Sequence, residues 1–117
     1  SWVEREAQMD AVTALSGSGP AYFFLLIEAM ADAAAELGLP QDLAGLLAVE
    51  TALGAARMAL ESDEPVAALR RRVTSPGGTT EAALQALEAG EFRTLVATAL
   101  ARAEARSREL ADRFAQE

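Results

Sequence analysis

Tyr22-Phe23-Phe24-Leu25-Leu26-Ile27-Glu28-Ala29-Met30-Ala31-Asp32-Ala33-Ala34-Ala35-Glu36-Leu37 decides the fold class. The charged residues in it, Glu28, Asp32 and Glu36, recur at i, i+4 and i+8, so on a 3.6-residue helix they share one narrow stripe. Every other position is apolar, aromatic or Ala. A helix patterned in this way must be surrounded on nearly all sides. The stretch between Leu43 and Leu60 repeats the case, with Glu50, Thr51 and Arg57 as its few polar breaks.

Composition extends the reading outward. Ala makes up about a quarter of the 117 residues, and Ile27 is the only Ile. Ala and Leu favour helix while the β-branched residues that favour strands are scarce, so the expected fold class is all-α, an Ala-rich bundle of about five to six helices. Gly and Pro set the boundaries. A first helix is expected from about Gln8 to Leu15, ending at Ser16-Gly17-Ser18-Gly19. Pro20 opens a second helix, which runs to Leu37 with Gly38 as its C-cap and Pro40 beyond. A third runs from about Pro40 to Leu60, with Asp42 near its positive end. A shorter one covers Pro65 to Val73, and another runs from about Thr80 to Glu88 before Gly90. The last, Glu91 to Ala115, carries Phe92, Leu95, Val96, Leu100, Ala103, Leu110 and Phe114 on one face and mixed charge on the other.

Two nearly all-apolar helices in so short a chain have more surface than one small core can hide. Ala-rich faces also let helices approach closely. The expectation is a helical oligomer, most simply a C2 dimer of interlocked protomers. A larger parent protein that covers the same faces is the other reading.

The charge count excludes several chemistries. Ten basic residues, all Arg, stand against 18 acidic ones, for a net charge of −8, and there is no Lys, His or Cys. Disulfides, thiolate nucleophiles, imidazole catalysis, His- or Cys-based metal sites and Schiff-base lysines are therefore ruled out. The acidic balance argues against nucleic acid as a partner. No metal site is expected. The longest strongly apolar run, Ala21 to Ile27, is far short of the roughly 20 residues that span a bilayer, so no membrane partner is expected and the location expected is cytoplasmic. The chain opens without Met and is already apolar at Trp2-Val3, as expected of a piece of a longer protein.

Two glycine motifs stand out. Gly17-Ser18-Gly19-Pro20-Ala21-Tyr22 begins like the dinucleotide fingerprint, but Tyr22 replaces its last glycine and no βαβ pattern surrounds it. A helix-to-helix kink is the better reading. Thr74-Ser75-Pro76-Gly77-Gly78-Thr79-Thr80 is more informative, because it joins two helices and leads straight into the second. Adjacent glycines let backbone N–H groups converge on an anion, and the helix start adds partial positive charge. Ser75, Thr79 and Thr80 offer hydroxyl donors. An ordinary Ser/Thr cap with a Gly turn explains the same residues equally well on physics alone. Arg70-Arg71-Arg72, just upstream, is either a solvated face or a means of raising local anion concentration.

Asp10 to Tyr22, Gly38-Leu39-Pro40 and Val73 to Thr80, in that order, resemble the C-terminal domain of pyrroline-5-carboxylate reductase, as do Gly90-Glu91-Phe92-Arg93 and Arg106 to Leu110. The likeness covers essentially the whole chain. It implies the last step of proline biosynthesis, hydride transfer from NADPH or NADH to the C=N carbon of 1-pyrroline-5-carboxylate to give L-proline. It also implies an N-terminal Rossmann cofactor domain that these 117 residues do not contain. Residues 1–117 would then form a single helical domain for dimerisation and substrate binding, binding no cofactor and inactive by itself. Some members assemble further into pentamers of dimers. Carried over by position, Ser75, Gly77, Gly78 and Thr79 would cradle the substrate carboxylate. Thr80 would hydrogen-bond the ring nitrogen and is the candidate catalytic residue. The absence of His and Lys fits, because hydride transfer to a protonated imine mainly needs alignment. Three rivals remain: a non-catalytic helical dimerisation module, the helical half of a dehydrogenase for another small carboxylate, and an acidic interaction scaffold.

Overall fold

The computed structural model describes residues 2–116, and every regular element among them is helical. The order is α1 (Trp2–Val12), a π-helical turn (Thr13–Gly17), α2 (Gly19–Glu36), α3 (Gln41–Glu61), α4 (Val66–Arg72), α5 (Thr79–Ala89) and α6 (Phe92–Gln116). The all-α expectation holds, and most boundaries fall within a residue or two of those read from Gly and Pro. The exception is α1, which begins six residues before the expected Gln8. No Gly or Pro interrupts residues 2–8, so nothing in the sequence stops the helix from extending backward.

The helix ends follow local chemistry. Gly38 closes α2 at φ +111°, where its N–H donates to Ala35 O at 3.0 Å and Leu39 N–H donates to Ala34 O at 3.2 Å. That pair of bonds is a Schellman cap, and it needs the left-handed backbone that Gly adopts without strain. Pro40 and Pro65 sit just outside α3 and α4, and Asp42 lies in the first turn of α3. Between α5 and α6 the left-handed residue is Glu91, at φ +63°, rather than Gly90. Glu91 O accepts the first bond of α6, from Leu95 N–H at 3.0 Å, and its side chain accepts from Thr94 Oγ1 at 3.3 Å.

The chain divides into two compact units. The first comprises residues 1–22 and 88–117, in which α1, the π turn and α6 pack on one another. Ala14, in the π turn, is buried there at 2% exposure. The Ser107 hydroxyl of α6 donates to the Asp10 carboxylate of α1 at 2.7 Å. On the outer side of α6, Arg106 pairs with Glu109 at 2.9 Å and Arg108 with Glu104 at 3.0 Å. These pairs are exposed and contribute little to stability.

The second unit, residues 23–87, carries little core of its own. Its buried hydrophobic residues are Ala44, Ala48 and Leu69, while Phe23, Phe24 and Leu25 stand 64%, 64% and 67% exposed. Those three side chains are consecutive, so they sweep more than half the circumference of α2. On α3, Leu43, Leu46, Leu47 and Leu53 are exposed as well. Each such side chain leaves about 1–2 kcal/mol of apolar burial unrealised. Soluble chains keep contiguous apolar surface of this kind for a partner.

Two stretches, Gln8–Glu36 and Gln41–Glu61, are long and apolar enough to cross a membrane by length and composition, with mean hydropathies of 1.2 and 1.5. The unbroken run from Ala21 to Ile27 is therefore not the measure of how far the apolar character of these helices extends.

Candidate substrate loop

The loop between α4 and α5 takes its shape from four residues. Ser75-Pro76-Gly77-Gly78 has Pro at the second and Gly at the third turn position, the signature of a type II turn, whose third residue needs φ > 0. Gly77 has φ +73°, and Gly78 N–H closes the turn on Ser75 O at 3.0 Å. The second glycine answers a different demand. A Cβ at Gly78 would lie 3.2 Å from Ser75 O, a backbone atom that cannot easily move aside. Gly77 thus answers the turn's dihedral, and Gly78 relieves a tight approach to Ser75 O.

The loop is tied down at both ends. The Thr74 hydroxyl donates to Arg70 O at 2.5 Å, binding the loop's start to the last turn of α4. At the other end α5 begins at Thr79, and its first helical bond runs from Ala82 N–H to Gly78 O at 3.3 Å. The amides of the first turn therefore point out of the helix end, where positive potential accumulates. Among the described residues, no hydrogen bond engages the hydroxyls of Ser75, Thr79 or Thr80. Ser75, Gly77 and Thr79 are exposed, while Gly78 and Thr80 are half-buried. The five residues singled out from the sequence are thus brought together on one turn and helix start.

A sixth residue was missed. Glu81, half-buried in the first turn of α5, accepts a hydrogen bond from Gly77 N–H through Oε1 at 3.1 Å. The sequence signal was present: an acidic residue three places after the helix cap reaches back to an amide before the helix, as in a capping box. The loop therefore already holds one carboxylate, supplied by its own helix. Of the Arg70–Arg72 run, Arg72 is engaged with Glu64, and all three lie in the last turn of α4, where they complement the helix dipole.

The other glycine motif is structural. In the π turn, Ser18 N–H bonds to Thr13 O at 2.9 Å, five residues back. The Thr13 and Ser16 hydroxyls bond back to Met9 O and Val12 O, four residues behind them, at 3.0 and 3.1 Å. Pro20 has no N–H to continue the ladder, and the Tyr22 hydroxyl instead donates to Ala14 O at 2.7 Å. Gly19 is buried at this junction. The motif is a helix-to-helix junction, as its departure from the nucleotide fingerprint indicated.

Comparison with known proteins identifies the family of the chain. The family "Pyrroline-5-carboxylate reductase dimerisation" matches residues 6–110. The chain is 58% identical to the pyrroline-5-carboxylate reductase of Pseudomonas aeruginosa, over 98% of this chain and 42% of that protein. It is 52% identical to that of Arabidopsis thaliana, over 90% of this chain and 38% of that protein. Among solved structures, a pyrroline-5-carboxylate reductase from Coxiella burnetii superposes with TM-score 0.87 at 54% identity, covering 90% of this chain and 39% of that one. The Plasmodium falciparum pyrroline carboxylate reductase, solved with NADP bound, superposes at 0.84 and 40% identity, covering 87% and 39%. The chain spans about two fifths of the length of the curated relatives it matches.

Proposed function

Because the chain belongs to the pyrroline-5-carboxylate reductase dimerisation family, we propose that it forms the C-terminal part of a longer enzyme that reduces 1-pyrroline-5-carboxylate to L-proline. The observation that carries this reading is the Ser75–Thr80 turn, with its left-handed Gly77, its close-packed Gly78 and its hydroxyls at a helix start. Packing alone asks for none of those hydroxyls, which disfavours a purely non-catalytic dimerisation module.

The residues divide the work by chemistry. Amides at Gly77 and Thr79, with the Ser75 hydroxyl, suit a planar carboxylate, while Gly78 N–H, closing the turn on Ser75 O, holds the loop that presents them. The half-buried Thr80 hydroxyl lies one residue into α5 and is assigned to the ring nitrogen, which it orients by a hydrogen bond. Holding carboxylate and nitrogen at once fixes the plane of a five-membered ring, and with it the face of the C=N carbon open to attack. A nicotinamide cofactor supplies the hydride to that carbon. The residues described here do not fit such a cofactor: they include no strand, and the Gly17–Gly19 motif is consumed by the helix junction. Its binding, and the choice between NADPH and NADH, belong to the rest of the longer protein.

The exposed apolar faces of α2 and α3 are assigned to a second copy of the chain, in a homodimer of interlocked helices. Support comes from the family's own name and from the sparse core of residues 23–87. Assembly of dimers into pentamers belongs to the same proposal. A membrane would satisfy the same apolar surface, but α2 keeps Glu28 and Asp32 exposed along its length, and charges at the bilayer centre are costly.

The test is turnover of pyrroline-5-carboxylate by the full-length enzyme and its Thr80→Ala variant. We expect wild-type turnover and a loss of about 10²-fold in kcat/KM in the variant, the scale of one lost orienting bond in a closed site. Unchanged turnover in Thr80→Ala would remove that role.

A further inference from the structure

Gly77 N–H is the amide of the turn with the left-handed dihedral, and a carboxylate oxygen already lies 3.1 Å from it. That oxygen is Glu81 Oε1, carried by the helix that the loop opens. An N–H donor aimed at one carboxylate is poorly available to a second, and a resident negative charge repels an incoming one. We infer that Glu81 is an internal occupant of the donor used by the substrate carboxylate, so that binding exchanges one carboxylate for another on Gly77 N–H. This rests on the substrate-loop reading given above.

The exchange is local. Glu81 is half-buried and sits on the first turn of α5, so its side chain can leave Gly77 by changing rotamer while the helix stays in place. The turn remains closed meanwhile, because Gly78 N–H to Ser75 O and Thr74 Oγ1 to Arg70 O do not involve Glu81. Glu81 thereby acts as a specificity device. A ligand lacking a carboxylate cannot replace it on Gly77, whereas one bearing a carboxylate replaces like with like. The cost of displacement appears as weaker apparent affinity, in proportion to the fraction of molecules in which the donor is free.

A purely structural role for Glu81, as a cap that orders the loop, predicts the opposite sign. Two measurements on the full-length enzyme separate them. In steady-state kinetics with pyrroline-5-carboxylate, Glu81→Ala should lower KM by roughly threefold to tenfold with kcat within about twofold, since one competing carboxylate, whose bond to Gly77 N–H is solvent-exposed, is removed. Glu81→Gln, which keeps the acceptor and loses the charge, should fall between. An unchanged or raised KM in Glu81→Ala overturns the inference. In the second arm, sodium acetate is titrated against the Gly77 amide resonance, which reports the exchange without catalysis. A lower acetate midpoint in Glu81→Ala than in wild type supports the exchange, and equal midpoints overturn it. Failure of wild type to reduce pyrroline-5-carboxylate, with the acetate result intact, would count against the enzyme assignment and leave the exchange standing.

Discussion

The Ser107 hydroxyl meets the Asp10 carboxylate at 2.7 Å, across 97 positions of sequence. It joins α6 to α1 beside the π turn, and both side chains are half-buried. A hydrogen bond to a carboxylate in such a place contributes about 1.5–3 kcal/mol, more than the exposed ion pairs along α6. Ser107→Ala should therefore destabilise by about 1.5–2 kcal/mol in chemical denaturation. Asp10→Asn, which keeps an acceptor, should cost less than Asp10→Ala. Equal losses in the two Asp10 variants would show that the carboxylate's bond is not what matters.

Tyr22 carries the second test. Its hydroxyl takes the Ala14 carbonyl at the junction where Pro20 interrupts the backbone ladder. Tyr22→Phe keeps the ring and removes only that donor, leaving a carbonyl of a buried residue unsatisfied. A loss of about 1–2 kcal/mol is expected in the denaturation midpoint, with helical content unchanged by circular dichroism. No shift in the midpoint would mean that water replaces the hydroxyl without cost.

Gly77 and Gly78 should fail for different reasons when substituted. At Gly77 the left-handed φ of +73° penalises Ala by about 1 kcal/mol, whereas Asn tolerates that region better. Gly77→Asn should thus retain more of the full-length enzyme's affinity for pyrroline-5-carboxylate than Gly77→Ala. At Gly78 the obstacle is steric, so Asn offers no advantage over Ala there. KM values for the four variants check both statements.

How much of this was legible in the sequence depends on which physical signal each feature leaves. Helix ends at Gly38, Pro40 and Pro65 were readable because dihedral demands are written directly in Gly and Pro. The turn was readable for the same reason, with Pro76 and Gly77 at its second and third positions. The Glu81 contact is harder to read, because an acidic residue in the first turn of a helix complements the dipole whether or not it also caps an amide. The π turn leaves no periodic trace in the sequence, since it rests on a backbone bond five residues back, from Ser18 N–H to Thr13 O. Glu91 in the left-handed region shows the limit of the glycine rule, with Gly90 immediately before it. The apolar breadth of α2 did translate into exposed Phe23, Phe24 and Leu25, but periodicity says only that such a face needs cover.

That cover supplies a further prediction. Phe24 stands 64% exposed on α2, in the face assigned to the second protomer. Sedimentation velocity of residues 1–117 should show a dimer or larger species at micromolar concentration. Phe24→Asp, which places an unpaired charge in that face, should weaken association by roughly a hundredfold or more. A monomeric wild type would remove the dimer from the account.

Residues 1–117 are proposed to contribute the substrate loop and the association surface, with the cofactor held by another part of a longer protein. Oxidation of NADPH in the presence of pyrroline-5-carboxylate tests it most directly, comparing residues 1–117 alone with the same residues joined to their cofactor-binding domain. The account predicts turnover by the joined chain and none by residues 1–117. Turnover by residues 1–117 alone, or its absence from the joined chain, would contradict it.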